Sequence, residues 1–505
     1  DGLTLVISPL IALMQDQVTQ LRQLGVAADF LNSSLDSFTY NEVMAQVRMG
    51  ETKLLYVAPE TVLRHETLTL LEASNVRCIA IDEAHCVSAW GHDFRPEYRR
   101  LAELRERFAP STGSGDSSAA PVWVALTATA TERVQEDIRQ TLQLSSEASF
   151  VGSFDRPNLF LAAETKENLL RQVTHFLAAH QGQSGIIYCG TRKQVDSLTE
   201  KLNKAGHRAL PYHAGLDAAT RRDNQTAFVR DDVPLMVAPI AFGIGINKPD
   251  ARFVLHTSLP KSIESYYQQI GRAGRDGLRA DCLLIYGYGD VTQQQFHIGQ
   301  GASEEQMGRR ARLEALADFA ASTRCRRQQL LGYFGEEAAE TCELCDNCLA
   351  AKDGSNLAEG DISDVAQKFL SCVYRTRERF GPTHIIKVLR GSEAKSVLKF
   401  QHDTLSTYGI GTDLSERQWK ELVRQFVDKR LLTRDLAHGS LKITEEGWGV
   451  LRGEPAVFGH IPAAKPTRVR GAAPTATAAD YDQTLFQTLR SKRKALAAAA
   501  NIPPY

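Results

Sequence analysis

Residues 78–85 read Cys-Ile-Ala-Ile-Asp-Glu-Ala-His. A short apolar run ends abruptly in two carboxylates. That is the pattern of a buried strand whose side chains emerge at the carboxyl edge of a parallel sheet, the edge at which α/β proteins bind ligands. Working outward, apolar stretches at residues 3–7, 54–57, 78–81 and 122–126 alternate with polar, helix-forming segments over residues 1–150. Alternation of this kind predicts a doubly wound parallel sheet. A second series begins near residue 165, with strands predicted at 185–188, 209–212, 235–238, 253–257 and 281–286. Two α/β lobes in tandem imply a cleft between them.

The chemistry expected at that cleft follows from the residue types. An aspartate at the position of Asp82 can hold Mg²⁺ against phosphate oxygens, and the neighbouring Glu83 can orient an attacking water. Carboxylates also favour helix N-termini, so the acidic pair alone leaves a capping role open. In the second lobe Gln268, Gly271, Arg272, Gly274 and Arg275 form a Q-x-x-G-R-x-G-R pattern. Its glycines permit close backbone approach, and its arginines can reach a transferring phosphate across the cleft.

The composition bounds the remaining possibilities. The chain has 505 residues, 43% of them hydrophobic, enough apolar material for three or four domains. Its formal charge of −1 carries no global signature of nucleic-acid binding. Of nine cysteines, Cys325, Cys342, Cys345 and Cys348 fall in a C-x16-C-x2-C-x2-C array, four soft ligands suited to a closed, structural Zn²⁺ site. The scattered cysteines read as core residues. No apolar run is long enough to span a membrane and no signal peptide is evident, which makes the cytoplasm the expected location. Residues 111–120 read as a Ser/Gly-rich loop, and 456–480 as an Ala/Pro/Thr-rich linker. A hairpin is predicted from 431–433 and 441–444 around a turn at His438, Gly439 and Ser440.

Residues 82–98, DEAHCVSAWGHDFRPEY, resemble the acidic motif and aromatic-rich loop of RecQ helicases, in superfamily 2. SPLIALMQDQV (8–18), TATAT (127–131), DRPN (155–158), YHAGL (212–216), AFGIGINKP (241–249) and RCRRQQLLGYFG (324–335) follow in that family's order. The resemblance implies two RecA-like lobes, at 1–150 and 151–298, then a helical zinc-binding subdomain at 299–352 and a winged helix at 353–455. After the 456–480 linker, residues 481–505 resemble the start of a helical HRDC domain. It implies an ATP-dependent 3′–5′ DNA helicase of recombination, repair and replication, with ATP, Mg²⁺ and Zn²⁺ as cofactors. Its implied partners are single-stranded DNA, forked duplex DNA and a single-stranded-DNA-binding protein.

By the same resemblance, Asp82, Glu83, Arg272 and Arg275 are catalytic, while His85, Asn247, Lys248 and Gln268 join Asp82 near the nucleotide. Ser8, Asn32, Trp90, His92, Phe94 and Arg95 are the expected DNA-contacting residues, the aromatic faces stacking on unpaired bases. Thr127 and Thr129 are expected to link the lobes. Between Asp361 and Arg452 lie 16 Lys and Arg against 12 Asp and Glu, a basic bias that suits duplex binding, although winged helices also bind proteins.

The sequence departs from the family in one major way. No Gly-Lys pair occurs in the 505 residues, so the phosphate-cradling G-x-x-x-x-G-K-[ST] loop is missing. The expectation is a fragment cut at both ends, whose own ATPase activity is lost while the full-length protein is a motor. Pro239 and Ile244 are smaller departures, from a usual Thr and Met. A DNA-binding protein without motor activity is the alternative from another class. An RNA helicase would share the DEAH and arginine motifs but not the zinc array, winged helix and aromatic-rich loop.

Overall fold

The apolar runs form two parallel sheets in the computed structural model, which describes residues 2–91, 93–108, 120–239, 248–300, 303–354, 360–434, 440–454, 456–461 and 483–499. In the first lobe β1 (Leu3–Ile7), β2 (Ala28–Leu31), β3 (Leu54–Val57), β4 (Val76–Ile81) and β5 (Val122–Ala125) pair in the order β2-β3-β1-β4-β5. Every pairing is parallel. In the second lobe β6 (Leu159–Thr165), β7 (Gly185–Cys189), β8 (Ala209–Pro211), β9 (Leu235–Pro239), β10 (Phe253–His256) and β11 (Ala280–Tyr286) pair in the order β6-β11-β10-β7-β9-β8, again all parallel. The central strands are buried on both faces, which is why they read as unbroken apolar runs.

Two strands of these two sheets escaped the sequence reading. β2 contains a charge, Asp29, buried because Thr52 Oγ1 donates to it at 2.8 Å and Arg22 pairs with it. β6 is an edge strand that turns polar and exposed at Glu164 and Thr165.

The zinc-binding segment has no core of its own. Leu313, Leu316, Phe319, Leu330 and Phe334 pack into the same apolar cluster as Leu161, Tyr188, Tyr266 and Cys282 of the second lobe. Polar bonds fix the join. Arg326 donates to both oxygens of Asp346, at 2.5 and 2.9 Å, while Asp346 Oδ2 also accepts from the β6 amide of Ala163 at 2.9 Å. Arg327 pairs with Asp155 and donates to the Leu159 carbonyl at 2.7 Å.

The next domain has a separate core, built on helices Ser363–Arg375, Pro382–Leu389 and Glu416–Asp428 around the fully buried Trp419. Trp419 Nε1 donates to the Gly411 carbonyl at 2.9 Å, and a Cβ on Gly411 would lie 2.6 Å from the indole. The expected hairpin is present as β13 (Leu432–Arg434) paired with β14 (Leu441–Ile443). β12 (Gly360–Asp361) pairs with β15 (Phe458–Gly459) and so closes the domain. This corrects the expected start of the linker: Val457 is buried and takes the Ile362 amide at 2.8 Å, while Gln425 bonds the His460 backbone twice. Their own side-chain polarity gave no hint of this, because the partners lie far upstream.

His92, residues 111–119, residues 241–247 with Ile244 and Asn247, His438 and Gly439 of the hairpin turn, and residues 462–480 of the linker lie outside the described residues.

Two predictions follow from this packing. Arg326→Ala leaves Asp346 without its partner at a tightly packed join, and is expected to lower stability by about 3 kcal/mol, measured as a shift in the calorimetric unfolding of the second lobe and zinc segment together. In the winged helix His384 Nε2 and His402 Nδ1 lie 2.8 Å apart, and burial, with help from His402 and Lys387, pushes the His384 pKa down to about 4. The unfolded chain therefore takes up the proton first, and stability of this domain should fall as pH drops from about 6.5 to 4. Replacing both histidines by glutamine should flatten that slope in thermal melts.

Candidate nucleotide and nucleic-acid site

β1 and β4 are parallel neighbours, with Ile7 opposite Ile81, so the residues after each strand leave the sheet side by side. The Asp82 amide donates to the Ile7 carbonyl at 2.9 Å, and Ser8 Oγ donates to Asp82 Oδ2 at 3.1 Å. The Glu83 amide caps the other Asp82 oxygen at 2.9 Å. Burial raises the Asp82 pKa, the Glu83 charge raises it further, and the Ser8 hydrogen bond pulls it back in part. An ionised Asp82 is thus favoured by a cation beside it, which fits a Mg²⁺ ligand; Mg²⁺ bound there supplies charge neutralisation for phosphate oxygens. Glu83 adopts the left-handed conformation, φ 48°. Buried His85 places Nδ1 3.0 Å from Thr127 Oγ1 and 3.2 Å from Glu83 Oε2. Thr127 therefore joins the acidic motif within the first lobe.

The aromatic-rich loop is stapled to this motif. The Arg95 amide donates to the Cys86 carbonyl at 3.0 Å, and Tyr98 Oη donates to the Asp82 carbonyl at 3.0 Å. Gly91 passes so close to the motif that a Cβ would stand 2.4 Å from the His85 carbonyl oxygen, so only glycine fits. Trp90 is 46% exposed, as a loop residue and not a core one, with the Arg133 guanidinium 3.3 Å from its ring centroid. Its carbonyl accepts from Arg312 Nη1 at 2.9 Å. Arg95 pairs with Asp93 at 3.0 Å and reaches the Pro9 carbonyl at 3.3 Å, and Phe94 is half-buried.

Several expected site residues sit elsewhere. Ser8 is buried against Asp82, and Asn32 is buried with its Oδ1 taking the Ser34 amide and hydroxyl, so in this structure neither offers a surface to a DNA backbone. Lys248 is buried in ion pairs with Asp231 and, at 3.1 Å, Asp250. A lysine so engaged is a structural counter-ion, not an open nucleotide contact.

Glu83, His85 and Arg95 line one cleft of about 540 Å³ together with Gln268 from the second lobe. Arg272 and Arg275 do not line it. Arg272 is buried beside Tyr188, to which it hydrogen-bonds, and the Arg275 pKa is lowered by burial and then by the charges of Arg272 and Arg156. Three guanidiniums crowded together are relieved by an anion, which suits phosphate. Arg156 was missed by the sequence reading although it lies in the DRPN segment: it donates to the carbonyls of Gly271, Ala273 and Gly274 at 3.4, 3.2 and 3.1 Å. Asn158 donates to Gly274 and Leu278 carbonyls at 2.8 and 2.9 Å, against a Gly274 at φ 59° that has no room for a Cβ.

Cys325, Cys342, Cys345 and Cys348 converge with their Sγ atoms all within 4.8 Å of one another. Tetrahedral Zn²⁺ with Zn–S near 2.3 Å needs sulfurs roughly 3.8 Å apart, so the four fit the ion with no open position. Backbone amides of Gln328, Cys342 and Cys348 point at Cys325, Cys348 and Cys345 sulfurs, at 3.4 to 3.5 Å, as they do toward thiolates.

Two parallel-sheet lobes that bring an Asp-Glu-Ala-His strand end and a Gln-x-x-Gly-Arg-x-Gly-Arg turn to neighbouring walls define a two-lobed helicase motor. Family models agree along the chain: DEAD/DEAH box helicase over residues 1–138, helicase conserved C-terminal domain over 165–277, RecQ zinc-binding over 288–349 and RQC domain over 358–468. The ATP-dependent DNA helicase RecQ of Haemophilus influenzae is 42% identical over the whole chain and 80% of its own length. Its namesakes in Pasteurella multocida and Bacillus subtilis are 42% and 37% identical, also over the whole chain and over 78% and 82% of their lengths. The chain belongs to the RecQ family of helicases. It is accordingly an ATP-dependent DNA helicase by family, with ATP and Mg²⁺ as motor cofactors and Zn²⁺ in the cysteine site. No described helix is long and apolar enough to cross a membrane.

The purified protein is expected to carry one zinc per chain by atomic absorption. Cys345→Ser should abolish it and lower the melting of the second lobe as well, because Cys345 belongs to that lobe's core.

Proposed function

We propose that the chain moves 3′ to 5′ along single-stranded DNA and unwinds forked duplexes in recombination, repair and replication. One observation supports this reading above the others: Arg95 of the aromatic-rich loop shares a single cleft with Glu83, His85 and Gln268. A strand stacked on that loop would press directly on residues that orient water and phosphate, coupling DNA occupancy to hydrolysis. In this reading Asp82 holds Mg²⁺, Glu83 orients water, and Arg272 and Arg275 swing from their buried positions to the phosphate as the lobes close. Trp90, Phe94 and Arg95 hold the strand, and the winged helix grips the duplex. Polarity, the processes served, a single-stranded-DNA-binding protein as partner and a cytoplasmic location rest on the family resemblance.

With no Gly-Lys pair in the 505 residues, this polypeptide by itself should hydrolyse ATP slowly or not at all. The test compares DNA-stimulated ATP hydrolysis of these residues with that of a longer form carrying a G-x-x-x-x-G-K-[ST] loop. Stimulation confined to the longer form supports the reading, and Glu83→Gln in that form should reduce turnover by roughly 10² or more while leaving DNA binding intact. If neither form responds to DNA, the alternative of a DNA-binding protein without a motor is favoured.

A further inference from the structure

The cleft that holds Glu83, His85 and Arg95 has a wall that belongs to neither the acidic nor the arginine motif. Helix Tyr288–Gly299 follows β11 and buries Val291 and Ile298 in the second-lobe core. Gln293 and His297 are exposed on its other side, four residues apart and therefore on one face, and both line the cleft, with Gln294 between them. Lys261, exposed on the loop after β10, lines it too. This space is built and not accidental. Gln294 Nε2 donates to the Leu259 carbonyl at 3.2 Å, and the following helix, Ser303–Ala321, sends Arg312 to the Trp90 carbonyl, so the helical pair is strapped to the aromatic-rich loop.

The charges on this wall fit a polyanion. Its one carboxylate, Asp290, is neutralised by Lys166 at 2.8 and 2.9 Å and by the Gly287 amide at 2.8 Å. What remains on this wall is an ammonium, an imidazole and amides, and across the cleft stand Glu83 and Arg95, the latter paired with Asp93 at 3.0 Å. Arg272 and Arg275, the arginines suited to nucleotide phosphates, do not line this cleft, so its wall of Lys261, Gln293 and His297 is a cationic and amide surface beside Glu83 and apart from those arginines.

We propose that Gln293, His297 and Lys261 form the second wall of the single-stranded DNA path, facing the aromatic-rich loop. This rests on the helicase reading above. Bases held on the loop present their sugar-phosphate backbone to the helix, where amide and imidazole donors and the Lys261 ammonium meet phosphate oxygens.

The test is fluorescence anisotropy of a labelled single-stranded oligothymidine with the 505-residue protein, over a salt series. Gln293→Ala with His297→Ala is expected to weaken binding about tenfold, as two modest polar contacts would. Lys261→Ala should reduce the salt slope by about 0.7, the value of one phosphate contact on a single strand. His297→Arg should tighten binding and steepen the slope. Unchanged blunt-duplex binding by the same variants serves as the fold control. If Arg95→Ala weakens single-strand binding and the helix variants do not, the second wall is overturned while the helicase reading stands. If the unaltered protein does not bind the oligonucleotide, the reading beneath it falls as well.

Discussion

Parallel pairing of β1 with β4 is the constraint from which the site descends. In a parallel sheet all strands end at the same edge, so two sequence-distant termini must emerge together. Ser8 and Asp82 are thereby brought within one hydrogen bond although 74 residues separate them. From that pair the order spreads outward: Asp82 fixes Glu83 through its amide, His85 reaches Thr127, and the Tyr98 hydroxyl returns to the Asp82 carbonyl. The loop between, with its exposed Trp90 and half-buried Phe94, inherits its position from the sheet edge. Through these bonds a displacement of the loop is passed directly to the surroundings of the Asp82 and Glu83 carboxylates.

A second constraint is the shared core of the second lobe and the zinc segment. The cysteine array alone has too little apolar surface to fold as a unit, and its helices bury Leu313, Leu316 and Phe319 against the lobe instead. The winged helix is joined more lightly among the described residues. Asp428 accepts from the Thr323 amide at 2.9 Å and pairs with its hydroxyl, and Lys420 meets Glu167 at 3.2 Å in the open. Exposed polar ties of this sort are individually weak, roughly 1 kcal/mol or less. The second lobe and the zinc segment therefore share one core, and the winged helix has its own around Trp419.

The chain's near-zero net charge conceals how its charges are distributed. Lys248 and Arg326 are paired with neighbouring aspartates, while Arg156, Arg272 and Arg275 are grouped so that the charges of Arg156 and Arg272 lower the Arg275 pKa. Buried pairs of the first kind organise the fold; clusters of the second kind call for an anion. Total charge could not distinguish them, because the distinction lies in which residues the topology makes neighbours.

The sequence by itself determined the two α/β lobes, the acidic motif at a strand end, the hairpin of the winged helix and the four-cysteine metal array. These are encoded by local apolar periodicity, by residue type at a strand terminus and by short spacing, which survive without knowledge of the partner. Only the tertiary structure decided that Ser8 serves Asp82, that Lys248 is a buried counter-ion, that β2 can carry Asp29, and that residues 456–461 complete the winged helix. It also decided that Arg312 holds the Trp90 carbonyl from 222 residues away. Each of these depends on a hydrogen bond or ion pair between distant segments, whose geometry is set by strand order and helix packing, and a linear pattern carries no record of either.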